Sequence, residues 1–117
     1  MLFEHIDYNG TLLLRFTESI SPTTSIQALH DTVRSALRGG RLHFAIVFTP
    51  DTFLYSHHVA VVIKCIERIR ESGGTLTIVR PNNDIADMLS FVDPDGFTGR
   101  VQEEADLPVV QRVGNPA

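Results

Sequence analysis

Leu42-His43-Phe44-Ala45-Ile46-Val47-Phe48-Thr49 is apolar at nearly every position, and Pro50-Asp51 ends it. A strand covered on both faces reads this way, whereas a strand with one wet face alternates. From Ser56 the period changes to 3.6 residues, with Val59, Val62, Ile63, Ile66 and Ile69 on one stripe and Ser72-Gly73-Gly74 as a stop. Thr75 to Val79 is apolar again. Strand, amphipathic helix and strand in this order make a crossover unit with parallel strands. That unit sets the fold class.

The flanks extend the same pattern. Leu2 to Asp7 and Thr11 to Thr17 are short apolar bursts on either side of Asn9-Gly10, which reads as a hairpin. Ser21-Pro22-Thr23-Thr24-Ser25 offers hydroxyls to cap a helix that carries Ile26, Leu29, Val33 and Leu37 and stops at Gly39-Gly40. After Thr75 to Val79, Arg80-Pro81 breaks the chain, and Asn82 or Asn83 caps a short helix with Ile85, Met88, Leu89 and Val92. Asp93-Pro94-Asp95-Gly96 turns into a last strand, Phe97 to Val101. The expected architecture is α/β: a mixed, mainly parallel sheet of four to five strands flanked by three or four helices.

The chain has 117 residues, which predicts a single domain over 1–117, with its core at about 2–105 and a loosely held polar tail at 108–117. At 43% hydrophobic and 21% charged it lies in the globular range. A formal charge of −4 has the wrong sign for tracking a phosphate backbone, so nucleic acid is not an expected partner. Cys65 is the sole cysteine, which excludes an internal disulfide and multi-cysteine zinc sites. The start shows no basic and then apolar leader, and no apolar run is longer than a buried strand. Cytoplasmic residence without membrane insertion is the expectation.

Catalytic patterns fail on spacing. Gly39-Gly40 and Gly73-Gly74 follow helices, so they are stops and not phosphate loops. Ser56, His57 and His58 are adjacent, and neighbours on a helix diverge by about 100°, which suits neither a nucleophile with its base nor a shared metal ion. His5, His30 and His43 are isolated, Cys65 falls near the buried stripe, and Glu103-Glu104 reads as a solvated face. No enzyme activity, cofactor or metal is expected. Val61 falls off the stripe and suggests an apolar contact for a partner or a weak homodimer. Ser56 itself has two readings: an N-cap contributing about 1 kcal/mol, or an acceptor for a phosphate of about −1.5 to −2 charges beside a positive helix end.

Over roughly residues 11–105 the chain resembles the STAS family, the domain of bacterial anti-sigma-factor antagonists and of sulfate-transporter tails. In that family a strand ending Leu-x-Gly-x-Leu-Asp-x-x-Thr leads into the first helix; here Leu14 to Thr24 takes that place and keeps Ile20 and Thr24, with Glu18 and Ser21 at the family's Gly and Asp. Asp-Ser-x-Gly opens the family's second helix. Here Tyr55-Ser56-His57-His58 does, so Tyr55 replaces the aspartate and His58 the glycine. The resemblance implies a regulatory protein-binding module whose partner is an anti-sigma factor with serine kinase activity or another signalling protein. It also implies that Ser56 is the phosphoacceptor, and that Ser21, Pro22, Thr23, Thr24, Tyr55, Ser56, His57 and His58 form the partner face. Other roles that the family suggests are an unphosphorylated scaffold, a transporter accessory, and a small-molecule or lipid binder.

Overall fold

The computed structural model describes residues 2–110. β1 (Phe3–Tyr8) and β2 (Thr11–Phe16) pair antiparallel across Asn9-Gly10. There follow α1 (Gln27–Arg38), β3 (His43–Val47), α2 (Ser56–Glu71), β4 (Thr75–Val79), α3 (Asn83–Val92) and β5 (Gly99–Val101), then a 3-10 turn at Glu104–Asp106. The sheet order is β1-β2-β3-β4-β5, and β2 to β5 are parallel. This is the mixed, mainly parallel sheet expected, with five strands and three helices.

Sequential strand order has a consequence. Each crossover from β2 to β5 steps in the same direction, and right-handed crossovers then deliver all three helices to one face. The core confirms it: Leu29 and Val33 of α1, Val62, Ile66 and Ile69 of α2, and Ile85 and Leu89 of α3 pack in one cluster with Leu14, Phe16, Phe44, Ile46, Leu76 and Ile78. The alternate strand residues, Leu13, Ala45, Val47 and Val79, point the other way and are covered by Leu107 from the chain's last described segment. β3 is thus apolar on both sides because both sides are covered.

Local chemistry moves several expected boundaries. Of the hydroxyls expected to serve α1, that of Ser25 accepts the amide of its first residue, Gln27, at 3.3 Å, while the N-cap is Ile26 without a side-chain cap bond and those of Ser21 to Thr24 do not reach the helix. They bond one another instead, Ser21 Oγ to Thr24 Oγ1 at 2.8 Å and the Ser21 amide to Thr24 Oγ1 at 3.0 Å, inside a turn closed by the Thr24 amide on the Ser21 carbonyl. The last strand starts at Gly99 and not Phe97, because the buried Asp93 carboxylate takes the Phe97 and Thr98 amides at 3.1 and 2.7 Å. On α2 the buried stripe is His58, Val62, Cys65, Ile66 and Ile69, rotated from the expected one. Val61 is half-buried against the main core, so the exposed contact that suggested a homodimer is not present.

The paired Glu103-Glu104 is not simply solvated. Glu104 accepts two hydrogen bonds from the Arg15 guanidinium, at 3.0 and 2.5 Å, and Glu103 accepts one from Arg80 at 2.9 Å. These pairs tie the segment after β5 to the carboxyl ends of β2 and β4. The segment then reaches the hairpin, where the Val110 amide donates to the Asn9 carbonyl at 2.9 Å. Gly10 (φ 92°) permits that approach, since a Cβ there would strike the Val110 carbonyl oxygen. Of the tail expected to be loosely held, 111–117 lies outside the described residues.

Two stability measurements check this packing. Leu107, only 4% exposed, closes the second core, so Leu107→Ala is expected to lower unfolding free energy by about 2 to 4 kcal/mol in urea titrations. His30 on α1 is buried, and burial together with the nearby Arg68 and Arg34 charges pushes its pKa below the ordinary 6.5. The unfolded chain therefore protonates His30 first, and stability is lost as pH falls from 6.5 to the lower folded-state value. His30→Gln is expected to flatten that part of the stability profile, measured by thermal unfolding against pH.

Candidate functional site

Because β2, β3 and β4 are parallel, the loops that follow them emerge along one edge of the sheet. The β3–α2 loop alternates like a strand: Thr52 and Leu54 turn inward at 1% and 7% exposure, while Phe53 and Tyr55 turn outward with their rings edge to face at 4.9 Å. The inward residues fix the loop to the core, which leaves the outward pair displayed. Polar bonds join this loop to its neighbours. Ser19 Oγ, after β2, lies 2.8 and 2.9 Å from the two oxygens of Asp51. Asn82 Nδ2, before α3, donates to the carbonyls of Pro50 and Thr52, while its Oδ1 accepts the Ile85 amide as the α3 cap. Hydrogen bonds from Ser19 and Thr49 hold the Asp51 carboxyl below its usual range, so it stays ionised and accepting.

His58 is the main bridge at this edge. It is fully buried, its Nδ1 lies 3.0 Å from the Tyr55 amide, and its Nε2 lies 2.7 Å from the Thr24 carbonyl. An amide can only donate and a carbonyl can only accept, so Nδ1 must be bare and Nε2 must carry the hydrogen. The two partners thus select one neutral tautomer. One imidazole satisfies the N-cap amide of α2 and fastens the β2–α1 loop to the β3–α2 loop. This corrects the assignment of His58 to the partner face: it is a buried strut that no partner can reach.

Ser56 occupies the first residue of α2, and the N-cap is Tyr55 in an extended conformation (φ −82°, ψ 170°). The capping reading of Ser56 therefore fails. Its side chain is exposed and makes no hydrogen bond among the described residues. It lies on the wall of an open groove of about 560 Å³ between α2 and α3, lined by Phe53, Tyr55 and Val59 on one side and by Asp84, Asp87, Met88 and Phe91 on the other. Ser21, Pro22, Thr23, Tyr55, Ser56 and His57 are exposed along the same edge, and Thr24 is half-buried.

Other chemistry-bearing groups are occupied or closed. Burial pushes the Cys65 thiol up to about 12, which leaves it protonated and unreactive inside the core. A second depression of about 470 Å³ at the strand ends includes Arg15 and Arg80, whose guanidinium groups are held by Glu104 and Glu103. Among the described residues, no three His, Cys, Asp or Glu side chains are grouped to hold a metal ion. No helix among them is long and apolar enough to cross a membrane.

Solved structures share this architecture. The candidate anti-sigma factor antagonist TM1081 of Thermotoga maritima superposes with a TM-score of 0.66 at 18% identity, over 88% of this chain and 88% of its own. Its NMR structure gives 0.65 at 19% identity over 86% and 79%. The Bacillus cell fate determinant SpoIIAA in its phosphorylated form gives 0.64 at 14% identity over 88% and 94%. The chain has a STAS-like fold. No family model matches it, and no curated protein matches it by sequence. At these identities the likeness concerns the backbone, and the side chains at the STAS-like edge are this chain's own.

Four groove residues, Asp84, Asp87, Met88 and Phe91, were not singled out as site residues from the sequence. Phe91 carried a usable signal, since it stands two residues past Leu89 and so cannot share that residue's buried face. The contrast between strut and display is measurable. His58→Ala leaves a buried amide and carbonyl unpaired and opens a cavity, so it is expected to lower stability by about 3 kcal/mol or more. Ser56→Ala is expected to change it by less than about 0.5 kcal/mol in the same denaturant titration, because the hydroxyl caps nothing.

Proposed function

We propose that this STAS-like chain is a non-enzymatic, cytoplasmic regulatory module that binds a protein partner in the manner of an anti-sigma-factor antagonist, and that phosphorylation of Ser56 switches that binding. The observation that carries the reading is the placement of Ser56: an exposed hydroxyl without hydrogen-bond partners among the described residues, at the first residue of α2 and on the wall of the groove. A helix N-terminus has partial positive charge and free amides, so it tolerates a phosphate within the module itself. A partner seated on the groove does not, because its apolar contacts would have to desolvate a double charge. One modification thus leaves the fold intact and disrupts the complex. The partner class is an anti-sigma factor with serine kinase activity or a related signalling protein.

The face comprises Ser21, Pro22 and Thr23 of the β2–α1 loop with Tyr55, Ser56 and His57 of the next. Thr24 supports it from beneath through His58. The phosphorylated form of the Bacillus neighbour supports a modifiable site on this fold. Tyr55, where the family motif has aspartate, adds an aromatic wall in place of a charge, consistent with a partner surface more apolar than the motif implies.

The test is to incubate the purified chain with an anti-sigma factor kinase and ATP and to map phosphate by mass spectrometry. Phosphate is expected at Ser56 and absent from Ser56→Ala, and Ser56→Glu is expected to bind the kinase about tenfold more weakly or worse. An unmodified Ser56 together with undiminished binding of Ser56→Glu would contradict the switch.

A further inference from the structure

The α2–α3 groove also defines the chemistry of its occupant, an inference that rests on reading this edge as protein-binding. The large apolar side chains most exposed among the described residues are Phe53 (47%), Tyr55 (37%), Phe91 (86%) and Val109 (75%), and the three aromatics all line this one groove. Scattered exposed apolar residues are ordinary, but aromatics gathered in one concavity mark an interaction surface. The groove is also one-signed. Its lining includes Asp84 and Asp87 and no cationic side chain. Among the described residues Asp84 and Asp87 make no ion pair, as Glu18, Glu67, Glu71 and Asp106 make none, and what sets the two apart is their place beside the exposed aromatics of one concavity.

Charge then decides among occupants. A second copy docking by a two-fold axis would bring the same acidic groove to itself, with no cationic lining to meet Asp84 and Asp87, on a chain already at −4. An anionic lipid surface meets the same repulsion. We propose that the groove receives a basic amphipathic segment of a partner protein, with an aromatic or branched aliphatic side chain seated among Phe53, Tyr55 and Phe91 and with Lys or Arg facing Asp84 and Asp87. The apolar anchor spans both walls, between Phe53 and Tyr55 ahead of α2 and Phe91 on α3, and the cations lie against Asp84 and Asp87 of α3. Ser56 lines the same groove beside Tyr55, so a phosphate there falls within the contact.

The experiment is a selection from a random peptide library displayed on phage, with the full chain as bait, followed by calorimetry on the selected synthetic peptides. Peptides combining an aromatic or aliphatic residue with two or more Lys or Arg are expected. Their affinity is expected to fall about tenfold or more on Phe91→Ser and on the double change Asp84→Lys and Asp87→Lys, and to fall with added salt. Glu67→Lys, outside the groove, is expected to leave it unchanged. Phe91 is too exposed for its replacement to threaten folding. No enriched peptide, a neutral or acidic consensus, or indifference to Phe91→Ser overturns the proposal. So does a dimer in sedimentation equilibrium that Phe91→Ser dissociates, which would assign the groove to a second copy. None of these readouts uses Ser56 or a kinase: a neutral or acidic consensus removes only the basic occupant and leaves phosphorylation of Ser56 to its own test, whereas the dimer outcome also removes the partner from the groove.

Discussion

Three right-handed crossovers taken in one direction govern the layout of this chain. They place α1, α2 and α3 together on one face of the sheet and so set the start of each helix beside the next along the edge where β2, β3 and β4 end. A polar loop that would be isolated in another topology here has neighbours on both sides. The bonds of Ser19 to Asp51, of His58 to Thr24 and of Asn82 to Pro50 and Thr52 all exploit that adjacency. The opposite face needs no helix, because Leu107 covers the apolar alternates of β2, β3 and β4, with Ile6, Tyr8 and Val101 packed against the same cluster.

The edge works by dividing labour between adjacent residues. Thr52, Leu54 and His58 point in and fix the loop, while Phe53, Tyr55, Ser56 and His57 point out. Rigid display matters for binding, since a loop already held in place loses little entropy when a partner docks. It also confines a chemical change at Ser56 to the surface. A charge placed there meets solvent or a partner, and the core beneath is sealed by the imidazole of His58.

Most of the architecture was legible from the order of apolar runs, because β3 and β4 are buried on both faces and α2 is long enough to show its period. The edge was less so. His58 stands four residues before Val62, and so falls on the buried stripe, but an imidazole in that place reads as a surface group until the Tyr55 amide and Thr24 carbonyl that it joins are known. Those partners are 3 and 34 residues away in the chain, and only the nearer is accessible to local reasoning. Ser56 was recognised through its place in a motif, yet its cap role was misassigned because Tyr55, a residue with no capping preference, begins the helix with help from His58. Glu104 looked like surface charge because its partner Arg15 is 89 residues distant.

The central claim is that the loop edge, and not the Leu107 face, meets the partner. Amide chemical-shift mapping of the labelled chain titrated with an anti-sigma factor tests it most directly. Perturbations are expected at Ser21 to Thr24, Phe53 to Val59 and Asp84 to Phe91, with Leu107 to Val110 unmoved. Shifts gathered on Leu107 to Val110 or on β1, with Phe53 to Val59 silent, would contradict it.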